Sequence, residues 1–222
     1  MAAAAAAATV ARSAAVVEAK QQLRSAVRAQ VRALPPAELA SQSERAVGSL
    51  LAHPWYQASR CVCCYIPMAG RELDTYRLLR DALASGRQCL VPRVFGAAPG
   101  EMTMLRVGSV AELEGLPKNK WGIPEHPMDD AALAAAAGGV GELAAQIDLL
   151  VVPAVAYDRE GRRLGQGRGY YDSFLQRLRA AQAGGDVRVR TVGLGLSCQI
   201  LPPGEVPVDE LDERLDLVLG PD

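Results

Sequence analysis

Residues 149–156 read L-L-V-V-P-A-V-A, an apolar run rich in branched side chains and interrupted only by Pro153. A strand with one wet face alternates polar and apolar residues, whereas a run without alternation belongs to a strand covered on both faces. We therefore predict a buried strand over residues 147–156, and the fold must supply two layers of cover for it.

The rest of the chain reads as that cover and as further strands. Leu23, Val27, Val31 and Leu34 recur at spacings of four, four and three, which predicts a helix over 14–34, stopped by Pro35 and Pro36. A second helix is expected over 38–52 and a short buried strand over 61–66. Thr75 stands as N-cap of a helix over 76–85, with Gly86 at its stop. Strands are expected over 88–94 and 102–107, and Ser109 and Glu112 have capping-box spacing for a turn or two of helix. Three prolines make 116–127 irregular. A helix over 170–179 and strands over 189–196 and 215–219 complete the pattern. Strands alternating with helices predict an α/β fold: an open, mostly parallel sheet with helices on both faces, a Rossmann-like three-layer sandwich.

A length of 222 residues suits one domain with appendages. The expected division is a low-complexity, disordered segment over 1–13, then a single domain over 14–222 carrying an alanine- and glycine-rich insertion at about 129–145. The net charge of -1 offers no basic footprint for nucleic acid, and no apolar stretch approaches the roughly 20 residues of a membrane-spanning helix. A soluble protein, expected as a monomer, follows. Cys61, Cys63 and Cys64 crowd one apolar segment while Cys89 and Cys198 stand alone, a pattern of buried thiols in a reducing compartment rather than of a disulfide framework. Cys61 and Cys64 satisfy C-x-x-C, but no second pair exists, and His53 and His126 lie elsewhere, so zinc lacks its four ligands. The start, MAAAAAAATVA, has no charged region or leucine-rich core of a secretory signal. Cytoplasmic residence is expected, with a mitochondrial leader as the alternative.

Chemistry concentrates in L-G-Q-G-R-G-Y-Y-D, residues 164–172. Gly165, Gly167 and Gly169 fall between a buried strand and a helix, at the carboxyl end of the sheet, where open α/β folds bind ligands. Alternate glycines let successive backbone N–H groups converge on an anion, and the helix N-terminus adds positive charge. Arg162, Arg163 and Arg168 flank them with guanidinium groups suited to phosphate, and Asp172 sits where a hard cation would meet the same phosphates. Lys20, Arg24 and Arg28 recur every four residues on one face of the first helix, either a solvated stripe or a face turned to an anion.

The whole of V-P-A-V-A-Y-D-R-E-G-R-R-L-G-Q-G-R-G-Y-Y-D, residues 152–172, resembles the signature of the 5-formyltetrahydrofolate cyclo-ligases, also called 5,10-methenyltetrahydrofolate synthetases. Lys20-x-x-x-Arg24, Glu72-Leu-Asp-Thr75, Trp121-Gly-Ile-Pro and Asp212 fall in the family's order. The resemblance implies an ATP-dependent ring closure of 5-formyltetrahydrofolate to 5,10-methenyltetrahydrofolate, through phosphorylation of the formyl oxygen. It implies that Lys20, Arg24, Arg163, Leu164, Gly165, Gln166, Gly167, Arg168, Gly169, Tyr170 and Tyr171 hold ATP. The folate would meet Arg24, Ile66, Glu72, Gln166, Gly167, Arg168, Gly169 and Tyr170. Arg163, Arg168, Tyr170 and Tyr171 would act at the reacting atoms, and Asp172 and Asp212 would bind Mg2+. Gln166 stands where eukaryotic relatives often carry a basic residue. Two other readings remain open on the same residues: a nucleotide or folate binder without turnover, and a sugar-phosphate isomerase-like enzyme, the latter by fold analogy.

Overall fold

The computed structural model describes residues 14–119, 122–129, 132–133, 140–183 and 188–222. The N-terminal low-complexity segment, Trp121 and residues 130–131 and 134–139 of the expected insertion lie outside the described residues.

Six strands make the main sheet, in the order β3-β2-β1-β4-β7-β9: β1 (Cys61–Cys63), β2 (Gln88–Val94), β3 (Met102–Val107), β4 (Leu149–Val151), β7 (Arg190–Leu194) and β9 (Leu217–Leu219). All neighbours are parallel except the β2–β3 pair. The two layers demanded by the apolar run are present. Leu149 and Val151 enter one core, with Val27 and Val31 of α1 (Ala14–Ala33), Val47 and Leu50 of α2 (Pro36–Ala52) and Leu78 and Leu79 of α4 (Tyr76–Ala84). Leu150 and Val152 enter the other, with Phe174, Leu175 and Leu178 of α7 (Tyr170–Gln182). The three-layer expectation holds.

Three expectations change in detail. The strand over 147–156 is two elements, because Pro153 lacks the N–H that would continue the ladder; the chain leaves the main sheet there and continues as β5 (Ala156–Asp158), outside that sheet. A second, three-stranded sheet, β6-β5-β8, forms from β5, β6 (Arg163–Leu164) and β8 (Ile200–Leu201). The strand over 61–66 ends at Cys63, although residues 64–67 stay buried as they leave the sheet. Thr75 does not cap α4 with its side chain. Its Oγ1 donates to Tyr65 O at 2.7 Å, and Tyr76 N instead donates to Asp74 Oδ1 at 2.9 Å.

Other signals hold. Ser109 Oγ accepts from Glu112 N at the start of α5 (Val110–Gly115), and Glu112 Oε2 accepts from Gly108 N, a reciprocal cap one residue longer than the usual box. Short α3 (Pro54–Ala58) and α6 (Val140–Gln146) escaped the periodicity. Cys61, Cys63, Cys64 and Cys89 are buried and unbridged, as expected, and Cys198 is half-buried beyond β7.

Part of the quoted signature is structural. Buried Asp158 accepts from Glu160 N, Arg162 N and Gly204 N at 3.0 to 3.1 Å, fastening the β5–β6 turn to the loop after β8. Gly161 takes φ +83°, and a methyl group there would lie 2.1 Å from Leu215 O. Gly161→Ala is therefore expected to cost more than about 3 kcal/mol, from left-handed strain of roughly 1–2 kcal/mol and overpacking of similar size. A thermal melt is expected to show Tm lower by about 6–12 °C; an unchanged Tm would remove the steric reading.

Candidate active site

From β1 the chain builds outward to β2 and β3 on one side and to β4, β7 and β9 on the other, so the direction of winding reverses between β1 and β4. Loops leaving adjacent strands in opposite directions open a crevice at such a point. Met68 and Glu72, beyond β1, and Pro153, beyond β4, line that crevice, whose volume is about 980 Å³.

Residues 164–169 bridge β6 to α7 along one wall. Gly167 (φ +99°) and Gly169 (φ +73°) occupy the left-handed region that a side chain disfavours, and Gly169 is the N-cap of α7. At Gly165 the need is space: a methyl group would sit 3.1 Å from Arg163 Nη1. Among the described residues, the backbone N–H groups of 165–169 donate to no acceptor. The loop is a row of open donors at a helix N-terminus, the arrangement that receives phosphate.

Charged side chains converge on the same crevice. Lys20, 5% exposed at its side chain, pairs with Asp209 at 2.8 Å and with Asp212. Arg24 Nε donates to Gly165 O at 2.8 Å, which fixes α1 against the loop. Arg163 is 2% exposed at its side chain; one guanidinium nitrogen meets Asp172 Oδ1 at 2.5 Å, while Nε is buried with no partner among the described residues. Asp172 Oδ1 also accepts from Glu213 N at 3.1 Å. Tyr170 OH donates to Gly96 O at 2.8 Å, tying α7 to the turn between β2 and β3. Arg168 lines the crevice from the loop itself. Five basic side chains, Lys20, Arg24, Arg93, Arg163 and Arg168, face four acids, Glu72, Glu125, Asp172 and Asp212.

Burial pushes the Glu72 carboxyl above its ordinary range, against the opposing effect of hydrogen bonds from Met68 N–H, at 2.9 Å, and from Gln166. Burial, with nearby thiols and Glu72 adding to it, raises the Tyr171 phenol well above its ordinary value, so Tyr171 faces the crevice as a neutral hydrogen-bond donor.

Of the residues expected at the site, Lys20, Arg24, Glu72, 163–172 and Asp212 all line this one crevice. Ile66 is not among its lining residues; it is buried in the core on the α1 side. Arg162 turns away, toward Glu160 at 3.1 Å and Asp158 at 3.9 Å. Arg93, Phe95 and Glu125 line the crevice without a sequence signal, and Asp209 holds Lys20 from the neighbouring segment. Spacing alone showed Lys20 and Arg24 of α1 as a four-residue period, and the resemblance implied their role.

A model of the 5-formyltetrahydrofolate cyclo-ligase family matches residues 16–221. The chain is 33% identical to the mouse 5-formyltetrahydrofolate cyclo-ligase over 207 residues, covering 93% of this chain and 96% of the relative. It is 32% identical to a mitochondrial 5-formyltetrahydrofolate cyclo-ligase of Arabidopsis thaliana, covering 91% and 74% respectively. Among solved structures, the Aquifex aeolicus 5,10-methenyltetrahydrofolate synthetase superposes with a TM-score of 0.66 at 28% identity, over 90% of this chain and 88% of that one.

Proposed function

The chain belongs to the 5-formyltetrahydrofolate cyclo-ligase family, and from that premise we propose which of its residues carry the ATP-dependent closure of 5-formyltetrahydrofolate to 5,10-methenyltetrahydrofolate. A formamide carbon is a poor electrophile until its oxygen becomes a phosphate ester. The formyl oxygen therefore attacks the terminal phosphorus of ATP, forming an O–P bond as the bond to the bridging oxygen of ADP breaks. The second folate nitrogen then attacks the activated carbon; a C–N bond forms, the C–O bond to phosphate breaks, and that nitrogen loses its proton.

Such a phosphoryl transfer asks the protein chiefly for position and neutralised charge. The open N–H groups of 165–169, backed by the buried Arg163, are the observation that carries this assignment. They would hold the phosphates, with Lys20 and Arg24 reaching in from α1 and Arg168 closing the rim. Tyr170 and Tyr171 would border the meeting point of the two substrates, where a neutral phenol can donate to the formyl group without adding charge. Asp172 and Asp212 suit Mg2+, which commonly takes one or two carboxylates and completes its shell with phosphate oxygens and water. No group of three or more His, Cys, Asp and Glu forms a metal cage among the described residues, and none is needed for an ion carried in by ATP. When bound, that ion would offset charge on the terminal phosphates.

Glu72 would accept two N–H groups from the amino-pyrimidine edge of the folate, with Met68 and Gln166 beside it. Accepting both requires the ionised carboxylate, and its raised pKa puts ionisation above the ordinary 4.5. The expected KM for the folate falls as pH rises through that raised value, then levels. Glu72→Gln is expected to flatten this profile and raise KM about 10- to 100-fold, the loss of a hydrogen bond to a charged group; a variant with the wild-type profile would remove Glu72 from the folate site.

We assign residues 14–222 to one catalytic domain acting as a monomer, since Val17 and Leu211 are the exposed large hydrophobics of the described surface. The buried, unbridged thiols support a reducing compartment, read here as the cytoplasm. The test of the reaction is growth of the methenyl-folate absorbance band on mixing enzyme, 5-formyltetrahydrofolate, Mg2+ and ATP, with ATP omitted as control. ATP-dependent growth is expected; ATP binding without growth would leave a binding protein.

A further inference from the structure

The two carboxylates assigned to Mg2+ are held in different ways. Asp172 is part of α7 and takes its position from the helix. Asp212 belongs to no helix or strand: between β8 and β9 the chain is irregular from 212 to 215, so no backbone ladder fixes it. Its Oδ2 accepts from Asp209 N at 2.6 Å and meets Lys20, which closes a local turn without tying it to α7.

One face of α7 makes that tie. Residues 172, 176 and 179 are spaced by four and three and so lie in a row. Each reaches the segment 211–214: Asp172 Oδ1 accepts from Glu213 N at 3.1 Å, Gln176 Nε2 donates to Leu211 O at 3.3 Å, and Arg179 donates to Arg214 O at 2.6 Å and pairs with the Glu213 carboxylate. Arg179 makes the strongest of these contacts, because its planar guanidinium grips a carbonyl and a carboxylate at once. It is not among the residues lining the crevice; it lines a separate cavity of about 580 Å³ with Arg188, Arg214 and Asp216. Any effect of Arg179 on the reaction therefore passes through residues 213 and 214.

We infer that Arg179 is a positioning residue for the metal, a clamp that fixes Asp212 relative to Asp172 from behind the site. The inference rests on the assignment of those two carboxylates to Mg2+. Mg2+ demands near-ideal octahedral geometry, whereas Ca2+ accepts a flexible shell of more oxygens at longer distances. A loosened pair of carboxylates therefore loses more affinity for the smaller ion. Metal-free ATP, which meets the loop donors and the cations rather than the carboxylates, has no use for the clamp.

The experiment titrates the protein calorimetrically with MgATP, with CaATP and, beside a chelator, with metal-free ATP, and follows hydrogen exchange at the Glu213 amide with no nucleotide present. In Arg179→Met, which keeps the apolar stem, MgATP is expected to bind about 10- to 100-fold more weakly, the usual loss when a group that orients a metal ligand is removed. CaATP is expected to lose less, and metal-free ATP to bind as in the wild type. Exchange at Glu213 is expected to quicken about tenfold, as hydrogen bonds to a charged group are lost. Arg179→Lys is expected to recover part of the MgATP affinity, since an ammonium meets Glu213 without the planar fork. Glu213→Gln keeps the N–H that Asp172 accepts and is expected to show the same ranking with smaller losses. The Arg179 and Glu213 side chains are 37% and 20% exposed, so these substitutions leave the core intact. Equal losses for MgATP and metal-free ATP would overturn the inference, as would an unchanged MgATP affinity in Arg179→Met or exchange at the wild-type rate. Asp172→Asn, titrated alongside, separates the two readings. A selective MgATP loss there, without one in Arg179→Met, would sink the clamp alone; an unchanged MgATP affinity in Asp172→Asn would sink the metal assignment beneath it.

Discussion

Arg163→Ala is expected to lower kcat/KM for ring closure by about 10³- to 10⁴-fold, in the range seen when an arginine at a transferring phosphoryl group is removed. The size follows from its setting. Arg163 lies on β6 opposite Tyr157, nearly sealed from solvent, so its charge is little screened by water. Its guanidinium lies against the loop at Gly165, and of its nitrogens Nε is unpartnered among the described residues. A phosphate received by the loop meets a charge already in place, which costs no reorganisation at the moment of transfer. The measurement is steady-state kinetics beside calorimetric titration with ATP, with circular dichroism to check folding. Weaker ATP binding is expected with the rate loss, because ground-state phosphates also meet the charge. Arg163→Lys is expected to recover part of the affinity but little of the rate, since an ammonium cannot engage both Asp172 and phosphate with a planar fork. A variant within tenfold of wild type, with unchanged ATP affinity, would take Arg163 out of the phosphate site.

What was legible in the sequence was whatever local pattern could carry. Apolarity without alternation over 149–156 announced a strand with two covered faces, and Leu149 and Leu150 do enter opposite cores. The glycine loop was legible because left-handed backbone at Gly167 and Gly169 and close approach at Gly165 all demand the absence of a side chain. The sheet β6-β5-β8 was not legible: strands of two or three residues are too short for a period to show. Nor was the partition among neighbouring arginines. Arg162 and Arg163 are adjacent and alike, but Arg162, in the turn before β6, meets Asp158 and Glu160, while Arg163, on β6, lies under the glycine loop. Arg93, Phe95 and Glu125 reach the crevice singly, from β2, the turn after it and the segment after α5, so no motif could collect them. The resemblance covered these gaps only where it quoted residues, and it was silent on Asp209, whose carboxylate shares Lys20 with Asp212.

That sharing sets up the second large effect. The carboxylates assigned to Mg2+ are paired with the cations assigned to phosphate, Asp172 with Arg163 and Asp212 with Lys20. Loading MgATP must therefore exchange partners, carboxylate to metal and cation to phosphate, so Asp172 has opposite effects on the two forms of the nucleotide. Toward metal-free ATP it is a competitor, since it neutralises Arg163 and repels the phosphates. Toward MgATP it is a ligand. Asp172→Asn keeps the side-chain shape and a carbonyl oxygen for Glu213 N, while removing the charge. It is expected to reduce ring closure at least about 100-fold, the loss that follows when charge stabilisation is removed at a phosphoryl-transfer site. It is also expected to weaken MgATP binding while metal-free ATP, titrated in the presence of a chelator, binds as tightly or tighter. A role confined to holding Arg163 would move both affinities the same way. Opposite movement separates a metal ligand from a positioning residue, and parallel loss in both titrations would sink the metal assignment. Asp212→Asn is expected to follow the same crossover more weakly, because Asp209 remains to hold Lys20 at 2.8 Å and so keeps part of that cation's charge engaged.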